Sequence, residues 1–179
     1  DIFFRNTGLL PVDHNIVING IEAIRKNNQN RDLGTPGQLG DELHALGLKT
    51  AVIGNADLPG YYSRPGALIV MDSRGIVDNG LLGREVVEKS SPLPLSSNYN
   101  AILQAYWDFS NYDVVLIDFG DLARLDRLQS LLSDQQLQNE RIKRLQAIDA
   151  CIGDLQEQID KKSVIYVLSP TPSRTAFER

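Results

Sequence analysis

The sequence predicts a single α/β domain over residues 1–179, built on a mainly parallel sheet with helices on both faces. Three observations carry that expectation. Residues 48–54, 114–117 and 164–168 read as apolar strands, and the continuous run at 114–117 has the composition of a strand covered on both faces. Stretches with helical periodicity separate these runs, and parallel neighbours need crossover connections of that kind. The size also fits, since 179 residues with 42% hydrophobic and 23% charged content are enough for one domain with a real core.

The elements follow in chain order. Val17, Gly20, Ile21 and Ile24 recur at helical spacing, which predicts an amphipathic helix over 14–28. After a polar turn, Thr35 reads as an N-cap, Pro36 as the first helical residue and Gln38 as the partner in a capping box. Leu39, Leu43 and Leu46 form the stripe of that helix, and Gly47 is placed to end it. Residues 48–54 then predict a strand, 55–65 a loop and 67–72 a second strand. Ser73, Arg74 and Gly75 turn the chain, so Ile76 and Val77 are expected to pair back as a hairpin. Residues 88–97, with Pro92, Pro94 and four serines, predict a surface loop.

Ser97 or Asn98 can cap a helix through Ser110, with Tyr99, Tyr106 and Trp107 as core aromatics. Residues 114–117 predict a strand, and Leu122, Leu125 and Leu128 a helix from near Asp121. The longest helix is expected over 134–161. Its apolar positions Leu145, Ile148, Ile152, Leu155 and Ile159 suit packing on a sheet, or alternatively a coiled-coil seam. Residues 164–168 predict the last buried strand.

Sites in such sheets lie beyond the carboxyl ends of the strands. Those ends hold Asp57, Asp72, Asp118 and Asp121. Asp118 and Asp121 are the candidate metal ligands, because both follow a buried strand directly and carboxylate oxygens suit a hard cation. The alternative is structural: Asp118 ends the strand and Asp121 caps the next helix. Asp57 and Asp72 are candidates for the same edge.

Other chemistries are excluded more firmly. The net charge of −5 and scattered basic residues disfavour nucleic acid, and the local group Arg141, Lys143 and Arg144 reads as a solvated helix face. The only histidines, His14 and His44, have no zinc-motif spacing. Gly34, Gly37 and Gly40 do not form a phosphate loop, and no nucleophile elbow occurs. Cys151, the single cysteine, reads as a small buried hydrophobe. No apolar run reaches the length of a membrane span.

Residues 35–54 (TPGQLGDELHALGLKTAVIG) resemble the helix–strand unit of sulfatases and related phosphatases, whose pattern there is T-x-x-x-L-x-x-x-L-x-x-x-G-Y-x-T-A-x-I-G. Residues 114–121 (VVLIDFGD), 147–153 (AIDACIG) and 164–170 (VIYVLSP) resemble, in order, the later segments of metal-dependent phosphoglycerate mutases. The chain therefore resembles the middle of the alkaline phosphatase superfamily. That resemblance implies an alkaline-phosphatase-like fold, a two-metal site and a Ser, Thr or Cys nucleophile acting on phosphate or sulfate esters. A divalent metal (Mg, Mn or Zn) is the implied cofactor if the domain is active.

Residue by residue, the carry-over is thin. Asp121 matches the ligand after the strand. The His expected four residues later is Leu125, and the final Asp-His stands as Ser169-Pro170. The nucleophile and first ligand of the family would precede Asp1. The chain begins without Met and stops soon after a strand-like run, so a piece of a longer protein is expected. A similar extracytoplasmic region occurs in longer bacterial membrane proteins. The expected function is thus a divergent alkaline-phosphatase-like domain without full catalytic machinery, extracytoplasmic or membrane-attached in full-length form, with the remainder of its own polypeptide as partner. The rivals are a metal-dependent ester hydrolase or phosphotransferase whose nucleophile lies outside this chain, and an α/β interaction module using the long helix.

Overall fold

The computed structural model describes residues 2–29 and 34–169. It is an α/β structure with one three-stranded parallel sheet and two small antiparallel pairs. In chain order the elements are α1 (Ile2–Thr7), β1 (Ile16–Val17), α2 (Ile21–Gln29), α3 (Gln38–Ala45), β2 (Thr50–Asn55), α4 (Pro65–Val70), β3 (Ile76–Val77), β4 (Asn79–Leu81), β5 (Val87–Lys89), β6 (Leu95–Ser97), α5 (Tyr99–Asp108), β7 (Val114–Phe119), α6 (Asp121–Leu128) and α7 (Asp134–Gln158).

β2 is the centre of the main sheet, with β4 on one side and β7 on the other, both parallel to it. Every residue of β2 is buried. Successive side chains of a strand point to opposite sides, and here they enter different cores. Val52 joins Ala67 and Val70 of α4, with Val114 and Leu116 packed alongside. Ile53 joins Ile102 and Ala105 of α5, with Val115 and Ile117 packed alongside. The apolar runs of β2 and β7 are thus explained by the need to fill two clusters at once.

Several expectations stand. Gly47 ends α3 in the left-handed region (φ 74°), where it donates its N–H to His44 and Leu48 donates to Leu43. Asn98 caps α5 through a bond from the Ala101 N–H. The long helix expected from 134 begins there as α7, behind a capping box of Ser133 and Gln136 that the structure adds.

Others are corrected. The helix expected over 14–28 begins only at Ile21, because Ile16 and Val17 pair antiparallel with Val77 and Ile76. That pairing also replaces the expected local hairpin of Ile76–Val77. Thr35 does not cap α3. The helix starts behind Gly37, whose backbone lies against Asp72 so closely that a Cβ would sit 2.2 Å from the Asp72 carbonyl carbon. The run 67–72 is mostly helix. Pro65 takes the first position of α4, and Gly66, Ala67 and Val70 supply its buried face. Within 88–97 the chain makes the β5–β6 hairpin around a cis Ser91–Pro92 bond.

α7 turns Arg144, Cys151 and Leu155 inward and packs on α5 and α6. Its apolar positions are therefore neither a sheet contact nor a continuous free seam. Residues 164–168 form no strand, and β7 is half-buried along its whole length instead of covered. No described helix is long and apolar enough to cross a membrane.

Candidate functional site

The carboxyl ends of β2 and β7 lie side by side, as Asn55 is in register with Phe119. The chain after β7 can come this close because residue 120 is glycine. A Cβ there would stand 2.1 Å from the Asn55 carbonyl oxygen and 2.4 Å from the Ala56 Cα. This contact brings Asp57, Asp118 and Asp121 to one edge of the sheet. The sequence pattern set Asp118 and Asp121 at a strand end and offered Asp57, with Asp72, as candidates for the same edge.

Asp118 accepts a long hydrogen bond from the Gly66 N–H at the start of α4, at 3.3 Å. Burial pushes its carboxyl pKa up. The Gly66 N–H and the Arg124 charge oppose that rise, and the Asp57 charge adds to it. Asp57 is occupied with its own loop. It accepts from the Ser63 N–H at 2.7 Å and pairs with Arg64 at 3.1 Å.

Asp121 is wholly buried and its two oxygens are fully engaged. Oδ1 accepts from the Ser97 N–H at 3.0 Å and from Arg124 at 3.3 Å. Oδ2 accepts from the Tyr99 hydroxyl at 2.8 Å. A second guanidinium, from Arg144 on α7, stands 3.8 Å from Oδ1. Burial, and then the Asp121 charge, hold the Tyr99 hydroxyl firmly in its protonated, donating form.

Arg124 also has no solvent exposure. It donates Nε to the Asp57 carbonyl at 3.0 Å and Nη2 to the Asn55 carbonyl at 2.6 Å, while Nη1 reaches the Ser97 hydroxyl at 3.3 Å. Burial lowers its pKa, and the charges of Asp121, Asp118 and Asp57 oppose that. Arg144 donates to Ser90 at 3.0 Å and Glu140 at 3.1 Å. One connected set of charges therefore ties together β2, β6, α5, α6 and α7.

The fit of this place to a divalent cation is poor. A metal ligand must offer free oxygen lone pairs, whereas Asp121 spends its own on Ser97, Tyr99 and Arg124. A cation at Oδ1 would also meet two guanidiniums already within 4 Å. Leu125, where the resembled family has His, is fully buried apolar core. Among the described residues no group of three or more His, Cys, Asp or Glu side chains could hold a metal ion.

The remaining candidates lie elsewhere. Asp72 is not at this edge. Its carboxylate accepts from the Arg74 and Ile76 N–H groups, pairs with the Arg74 guanidinium and lies 3.6 Å from His44 Nδ1. His44 Nε2 meets Asp78 at 3.0 Å, and Asp78 accepts from the N–H of Thr50, the first residue of β2. Asp72 therefore belongs to the amino end of the sheet, displaced there because 67–72 is a helix and a turn. His14 sits in a turn with positive φ. Cys151 is buried, which pushes its thiol pKa up to about 11, as suits an inert core residue. Ser169 ends the described chain, and Pro170 lies outside the described residues.

Sequence reasoning missed Tyr99 as a polar partner, and Ser97, Arg124 and Arg144 as members of this set. One signal was present: Arg124 follows Asp121 by three residues on a helix, the spacing of an ion pair. No family model matches this chain, and it matches no curated protein and no solved structure.

Proposed function

We propose that residues 1–179 form a divergent alkaline-phosphatase-like domain without working metal chemistry, serving as a binding or scaffold part of a longer protein. In this reading the three-stranded parallel sheet belongs to a larger, mainly parallel sheet with helices on both faces. The observation that carries the proposal is the commitment of Asp121. The one residue matching the family's ligand after this strand is locked in an ion-pair and hydrogen-bond set with Arg124, Tyr99 and Ser97. Such an arrangement holds strand ends and helices in place, and it leaves Asp121 no free oxygen for a cation. The partner in this reading is the remainder of the same polypeptide.

The test is hydrolysis of p-nitrophenyl phosphate and p-nitrocatechol sulfate by the full chain with Mg²⁺, Mn²⁺ or Zn²⁺. The expected result is no metal-dependent turnover above that of the Asp121→Asn variant. Metal-dependent turnover that disappears in Asp121→Asn would overturn the proposal.

A second reading, a metal-dependent ester hydrolase or phosphotransferase completed from outside these residues, has one observation in its favour. Asp57 lies close enough to Asp118 for its charge to add to the upward push that burial gives the Asp118 carboxyl, at the edge where such sheets place their sites. It requires activity in a longer protein that is lost in Asp118→Asn.

A further inference from the structure

We infer that the open edge of β7 is a strand acceptor, and that residues 164–168 of the same chain are the strand it takes up. This goes beyond the functional reading above and does not depend on whether the domain is catalytic.

The first observation is an asymmetry within the sheet. β2, flanked on both sides, is buried at all six positions, whereas β7 has a similarly apolar sequence and is only partly buried at all six. Its outer edge pairs with nothing among the described residues. A strand edge with free N–H and C=O groups is a template for another strand, and this one carries no proline and no lysine to blunt it.

The second observation is a segment with the opposite deficit. Val164, Tyr166, Val167 and Leu168 are 69%, 80%, 69% and 79% exposed, in one uninterrupted apolar run with Ile165. Isolated exposed apolar residues are ordinary, but a contiguous run of this kind marks a surface that something covers. Its β-branched and aromatic content suits a strand, and its five residues match the six of β7 in length.

Connectivity selects this occupant over others. The chain leaves β7 through α6 and α7, and α7 packs on α5. α5 in turn shares a cluster with Val115 and Ile117 of β7. Residues 159–163 then form a connection within the usual range of about 2–6 residues for a helix-to-strand loop. Where such a crossover joins parallel strands of one sheet, it is right-handed in about 98% of cases. Aligning Val164 with Val114 sets Ser163 beside Asp113 and Leu168 beside Asp118. Docked in that register, the segment carries Ser169 to the carboxyl-end row where Asp57 and Asp118 stand.

The experiment uses the full chain and the double variant Val164→Asp/Val167→Asp. Both positions are exposed when the segment is free, so the substitutions matter only if it docks. Hydrogen–deuterium exchange is followed at 114–119, with β2 and α5 as internal references for an intact fold. The expected result is exchange of the β7 amides faster by roughly tenfold or more in the variant, with the β2 and α5 references unchanged. Identical β7 exchange in the two proteins overturns the inference, whether that edge proves open in both or protected in both by some other strand.

Discussion

Among the described residues, Arg124 is the largest side chain with essentially no exposure. A buried guanidinium is tolerated only when its charge is matched and its donors are used, and here Asp121, Ser97 and the carbonyls of Asn55 and Asp57 supply both. Removing one partner leaves an uncompensated charge. Asp121→Ala is expected to destabilise the fold by about 3–5 kcal/mol in urea titrations, far more than an exposed aspartate would. The double variant Asp121→Ala/Arg124→Met should lose less than the sum of the single losses, because the second change removes the charge that the first orphaned. Simple additivity of the two would sever the pair. These partners were largely invisible in the sequence. A hydrophobic pattern reports where apolar residues recur, and it reads every charged residue as surface. Arg144, placed by that logic on a solvated face, is 4% exposed.

Among the elements, legibility followed the range of the information needed. β2, β7 and α5 to α7 could be read because their signals are local: apolar runs, an N-cap at Asn98 and apolar residues at helical spacing along α6 and α7. The run 67–72 misled because six consecutive residues with so many apolar side chains suit a buried strand and a buried helix equally. Pro65 and Gly66 decided it for a helix. The pairing of β1 with β3 joins residues far apart in the chain (Ile16 with Val77, Val17 with Ile76), and no local pattern encodes that.

At the amino end of the sheet, one carboxylate joins three elements. Asp78 leads into β4, accepts from Thr50 of β2 and meets His44 of α3. Burial raises its pKa, but the Thr50 N–H and the hydrogen bond and charge of His44 outweigh burial, and the net shift is downward from 3.8. A carboxyl with a lowered folded pKa contributes stability above its unfolded value and loses it as pH falls through the folded one. The expected outcome is that Asp78→Asn lowers the urea midpoint at pH 7, and that the gap from wild type narrows below about pH 4. A gap of equal size at both pH values would show that the charge of Asp78 does not hold this joint.

Across the whole molecule, two ends of one sheet are closed by different means. The amino end is held by the His44–Asp78–Thr50 contacts, and the carboxyl end by the buried Asp121–Arg124 set. The carboxyl end is also where the resembled superfamily keeps its metals, and there the arginines supply the positive charge that Asp121 needs. In the proposed reading, fixed guanidiniums stand where that superfamily binds a cation. That reading is tested most directly by melting the wild-type chain with and without about 1 mM Mg²⁺, Mn²⁺ or Zn²⁺. A native site with a dissociation constant of about 10 µM would add about 2.7 kcal/mol at that concentration. No upward shift of the melting temperature is expected with any of the three metals. A metal-specific rise that is lost in Asp121→Asn would contradict it.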